Sequence, residues 1–151
     1  MIMRYYEDIE VGEIDRFGAY AVTREEVIEF ATKYDPQPFH HSDEAAAKTQ
    51  FGRIAASGWH TCAMMMAMLA ARFAERQQAG LGSPGLEDLR WVKPVHPGDT
   101  LRCEIEVLDK RVSASRPEMG IYRGRTQVFN QHDEVVLSFT STGLIATKAK
   151  A

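Results

Sequence analysis

A chain of 151 residues that is 44% hydrophobic and 26% charged has an ordinary globular composition. At this length folding removes roughly 70% of the unfolded surface from water, enough for a single self-sufficient domain, here expected to span residues 1–151. The net charge of −3, the pI near 6.0 and the lack of a basic tract exclude nucleic acid as the main partner.

The N-terminal stretch "MIMRYYEDIEVGE" is acidic where a secretory signal would be apolar, so a cytoplasmic location is expected. No membrane partner is expected, since the longest apolar run, "AMMMAMLAA" before Arg72, is too short to span a bilayer. Residues Glu13 to Val22 allow a first strand. "TREEVIEFATKYD" is a helix capped by Thr23, with Glu26 completing a capping box and Val27, Phe30, Ala31 and Tyr34 as its apolar stripe. Pro36 ends it at Asp35 by disfavouring the α region there. "SDEAAAKTQFG" predicts a second short helix, capped by Ser42 or Asp43 and closed by Gly52.

From Gly58 to about Gln78 runs the longest helix, apolar on nearly all faces until Arg72 and therefore expected to be buried. "AGLGSPG" predicts a loop, and "LEDLRWVKPV" a strand before the "HPGD" turn. Leu101, Cys103, Ile105 and Val107 alternate with Arg102, Glu104 and Glu106, the period of a half-buried strand. Two more strands, Ile121 to Phe129 and Val135 to Thr147, flank the turn "NQHDE". Cys62 and Cys103 read as small buried hydrophobes in a reducing compartment. Helices followed by a strand meander predict an α+β fold, a curved antiparallel sheet wrapped around the long helix.

The segment "DPQPFH", Asp35 to His40, puts an acid and a base five positions apart with two prolines between them. A helix would place them on different sides, whereas a stiff non-helical loop can turn both toward one water. The segment resembles the Asp-x-Asn-Pro-x-His hydratase motif of the MaoC-like dehydratases, which include the (R)-specific enoyl-CoA hydratases. "FGRIAASG", Phe51 to Gly58, resembles that family's lead-in to the central helix, and "RWVKPVHPGDTL", Arg90 to Leu101, the strand and turn after it. The resemblance covers about the whole chain. It implies a hotdog fold, a homodimer or larger assembly, and a thioester of CoA or acyl carrier protein as substrate. No CxxC or HExxH spacing points to a metal site, and no cofactor is expected. Two positions depart from the family pattern: Gln37 stands for the usual Asn, and Ser57 for a His common before the glycine.

Hydrating an α,β-unsaturated thioester needs a base for water, an acid for the α carbon and a donor for the enolate-like oxygen. Asp35 and His40 can supply the first two, an effect worth roughly 10²–10⁴-fold. Gly58 can supply the third, because the N–H groups at a helix start lack partners; the resemblance implies the same role for its N–H. Gln37, Ser57, Trp59 and His60 complete the expected substrate-binding set. Ser57 also reads as the N-cap of the long helix, and His60 equally as a core histidine. The competing functions are a hotdog thioesterase, whose acid would sit near the start of the central helix where this chain has none before Glu75, and a non-catalytic acyl-CoA binder.

Overall fold

The computed structural model describes residues 2–148. Strand β1 (Ile14–Ala21) leads into helix α1 (Arg24–Tyr34), the short helix α2 (Asp43–Ala47) and the long helix α3 (Gly58–Glu75). Strands β2 (Gly80–Trp91), β3 (Thr100–Val112), β4 (Met119–Phe129) and β5 (Val135–Ala146) follow. All five strands form one antiparallel sheet in the order β1-β3-β4-β5-β2, which curves around α3. This is the hotdog fold.

The core lies where the sheet meets one side of α3. Met64, Met65 and Met68 of the helix pack with Leu101 and Cys103 of β3, Val128 of β4 and Leu137 and Phe139 of β5. Burying side chains of this kind contributes about 1.5–3 kcal/mol each. Gly18 allows β1 to approach α3: its φ is +90°, and a Cβ there would sit 2.5 Å from the Met68 sulfur.

Several elements differ from the sequence reading. The expected loop over residues 79–85 is the first half of β2, paired to β5 with register shifts at Gly80/Gly82 and Gly82/Gly85. β2 is an edge strand, so Pro84 can lack an N–H at no cost to the ladder. α3 stops at Glu75 rather than near Gln78, because Gln77 turns left-handed at φ 49°. The N–H groups of Gln77 and Gln78 return to the carbonyls of Ala74 and Phe73, a Schellman closure built without glycine. α2 is limited to Asp43–Ala47. The capping box of α1 is half-formed. Thr23 accepts from the Glu26 N–H, but the Glu26 carboxylate instead binds the Tyr20 hydroxyl and the His60 ring. Finally, α3 is not covered on nearly all faces: Trp59 is 60% and Met66 47% exposed, and Ala63, Ala67, Ala70 and Ala71 lie open on the side away from the sheet.

Candidate active site

Asp35 closes α1: its N–H still bonds the Ala31 carbonyl, but its own φ of −152° has left the helix. Pro36 forbids continuation, and the chain tightens instead into a 3-10 turn, Pro38–His40. That turn was read as a non-helical loop. Its tighter pitch swings His40 back toward the end of α1. His40 is 4% exposed, with Phe39 edge-on at 4.6 Å between ring centroids. Its Nδ1 donates to the Ala55 carbonyl at 2.6 Å. A carbonyl only accepts, so Nδ1 carries a proton and Nε2 is the nitrogen turned toward Asp35. Nε2 lies 3.2 Å from Asp35 Oδ2, near enough for a proton held directly between them.

The Asp35 carboxylate has two further donors. Gln37 Nε2 binds Oδ1 at 2.5 Å and Ser57 Oγ binds Oδ2 at 2.7 Å. Burial works to raise this carboxyl, but the hydrogen bonds from Gln37 and Ser57 and the nearby His40 outweigh it and hold Asp35 below the ordinary aspartate value.

The segment leading into α3 is fixed at each peptide. Asp43 accepts the Ile54 N–H at 2.9 Å and His96 Nδ1 donates to the Ile54 carbonyl at 2.8 Å. His40 holds Ala55, and Val95 accepts the Ala56 N–H at 2.8 Å. His96 is therefore half-buried and structural. Ser57 does not cap α3, because its hydroxyl is committed to Asp35; only its carbonyl joins the helix, accepting from Thr61. As the first helical residue, Gly58 has an N–H with no intrahelical acceptor.

Asp35, His40, Phe51, Gly58, Trp59 and Trp91 line one cavity of about 460 Å³. The structure thus brings together Asp35, His40, Gly58 and Trp59. Gln37 and Ser57 act on Asp35 rather than on the cavity surface. His60 faces elsewhere: it stacks on Phe30 at 4.7 Å, meets Glu26 at 3.0 Å and lines a separate cavity of about 320 Å³.

Trp91 escaped the sequence reading. Its indole N–H donates to the Gly58 carbonyl at 2.8 Å, and its ring meets Trp59 at 5.1 Å. Nothing in the local sequence links positions 33 apart; the one available signal was a tryptophan inside a segment already resembling the family's strand and turn. No cluster of three or more metal-ligating side chains occurs among the described residues.

The arrangement offers an ionised carboxylate, an imidazole of fixed tautomer and a free helix N-terminus around one cavity. The MaoC-like domain model matches residues 11–128. The chain is similar to the crystal structure of a MaoC-like dehydratase from Rhodospirillum rubrum, with TM-score 0.89 and 35% identity over 97% of this chain and 99% of that one. It is similar to an unliganded R-hydratase from Pseudomonas aeruginosa, with TM-score 0.71 and 28% identity over 97% and 88% of the two chains. It is also 31% identical over 110 residues to a 3-hydroxybutyryl-CoA dehydratase from Methylorubrum extorquens, covering 70% of this chain and 64% of the relative. The chain therefore belongs to the MaoC-like family of hydratases and dehydratases.

Proposed function

We propose that the chain hydrates an enoyl thioester, or dehydrates the matching 3-hydroxyacyl thioester, with Asp35 and His40 as the catalytic pair. The observation that carries this reading is the 3.2 Å approach of His40 Nε2 to Asp35 Oδ2 within a cavity that also takes in Gly58. A water touching both atoms loses a proton to the pair as its oxygen bonds the β carbon. The π electrons move onto the thioester oxygen, which accepts from the Gly58 N–H. The enolate then collapses, and the α carbon takes a proton returned through the same pair. The two side chains are in direct contact, so the proton is written as held by both. The carbonyl-bound Nδ1 keeps Nε2 available for it throughout.

No cofactor enters this scheme. The steps at the enoyl group are the same whether the acyl carrier is CoA or a carrier protein.

Incubation with crotonyl-CoA, following the enoyl absorbance and free thiol in parallel, tests the reading. Absorbance loss without thiol is expected. Thiol release would instead make the protein a thioesterase, a reading that the position of Glu75 at the far end of α3, paired with Arg72 at 3.1 Å, disfavours. Binding with neither change would leave an acyl-CoA binder.

A further inference from the structure

Ser57 is completely buried and absent from the cavity lining, although its neighbours Ala56 and Gly58 are part of it. Its hydroxyl has one proton and directs it at Asp35 Oδ2, the same oxygen that His40 faces. Its carbonyl accepts the Thr61 N–H at 3.0 Å, inside the first turn of α3. One residue therefore joins the end of α1 to the start of α3.

The two donors on Asp35 are not equivalent. Gln37 is exposed, so water can replace its hydrogen bond. No water reaches Ser57, and removing its hydroxyl leaves Oδ2 one donor short. Gln37 and Ser57 act on this carboxylate as uncharged hydrogen-bond donors. The residues at both departures from the family motif thus converge on one carboxylate, the buried one on its reactive oxygen.

We propose that Ser57 is a positioning residue, whose hydroxyl fixes Asp35 Oδ2 opposite His40 and keeps that oxygen in its charged, proton-accepting form. This rests on the reading of Asp35 and His40 as the catalytic pair. A hydrogen bond to the charged form favours it, so losing the donor moves the Asp35 titration to higher pH.

Two readouts test this in the full-length chain. The first is carbon-detected NMR of ¹³C-aspartate-labelled protein, with the Asp35 signal assigned from Asp35→Asn; it needs no substrate. Ser57→Ala is expected to shift the Asp35 midpoint upward, while Ser57→Thr, which retains the donor, keeps the wild-type midpoint whatever its methyl group does to stability. The second is the pH profile of crotonyl-CoA hydration. Ser57→Ala is expected to lose about tenfold in kcat with KM within about twofold, and its acidic limb should move up in pH. An unmoved Asp35 midpoint in Ser57→Ala overturns the proposal. So does a loss expressed in KM alone. Asp35→Asn separates the two readings. A near wild-type rate removes Asp35 from the reaction and Ser57 with it, whereas a lost rate with an unmoved midpoint in Ser57→Ala overturns the role of Ser57 alone.

Discussion

Gly58 is contacted by one tryptophan in two ways. Trp91 hydrogen-bonds its carbonyl, and a Cβ built on Gly58 would lie 2.5 Å from the indole Cε2. The sequence reading uses this residue for its free N–H; the structure adds the close approach of an indole. The expected effect of Gly58→Ala changes accordingly. Its methyl group must displace Trp91, an overpacking that costs about 1–3 kcal/mol. Shrinking the ring with Trp91→Phe gives the methyl room. The double variant should therefore be more stable than the two single losses added together, by about 0.5 kcal/mol or more in a denaturant-unfolding cycle. Strict additivity would show that the contact is not a constraint.

Asp35 and His40 are legible in sequence because Pro36 and Pro38 leave few conformations for the residues between them. His60 is ambiguous because its partner, Glu26, is 34 residues away on a different helix: in sequence Glu26 is already spoken for by a capping box, and only the structure gives its carboxylate to Tyr20 and His60.

At the scale of elements, α3 is held at both ends by different means. At its start, hydrogen bonds gather around residues 54–58. Near its end, Arg72 grips both oxygens of Asp15 on β1 at 2.8 and 3.0 Å, and Arg76 adds a contact at 2.8 Å. Burial works to raise the Asp15 carboxyl, but the hydrogen bonds and charges of Arg72 and Arg76 outweigh it and hold it below its ordinary value of 3.8. A depressed folded value contributes stability above the unfolded one, and that contribution disappears as pH falls through the folded value. Asp15→Asn is therefore expected to cost about 2 kcal/mol near neutrality, roughly 4–8 °C in Tm. The gap from wild type should narrow as pH falls below about 4 and close only below the depressed folded value. A gap independent of pH would mean that the clamp acts by shape rather than charge. The helix and the alternating strand β3 are legible because their periods are strong. The first half of β2 is not, because Gly80, Gly82, Pro84 and Gly85 carry loop chemistry and only pairing with β5 makes them a strand.

At the scale of the whole molecule, the exposed apolar surface is unevenly placed. β2 is one of the two outer strands of the sheet, and Leu81, Leu86 and Trp91 on it are 52%, 49% and 44% exposed. Trp59 and Met66 open on the uncovered side of α3. An unpaired edge and an apolar helix face are features that association covers. We therefore expect a homodimer or a larger homo-oligomer, with light scattering at micromolar concentration giving at least twice the monomer mass; a monomer there would contradict this. No helix among the described residues is long and apolar enough to cross a membrane. A curved antiparallel sheet around one long apolar helix is legible from element order, and its hotdog form from the family resemblance; the uncovered side of that helix is not, because its composition is the same whether a sheet or a second subunit covers it.

The most direct test of the central claim is the rate of crotonyl-CoA hydration by Asp35→Asn and His40→Ala, each beside wild-type protein with the same circular dichroism spectrum. Both side chains extend from the segment between helices rather than from the sheet-facing core, so the fold is expected to survive either change. If the pair moves the proton, each variant loses roughly 10²-fold or more. A rate within about threefold of wild type for either variant would contradict the account.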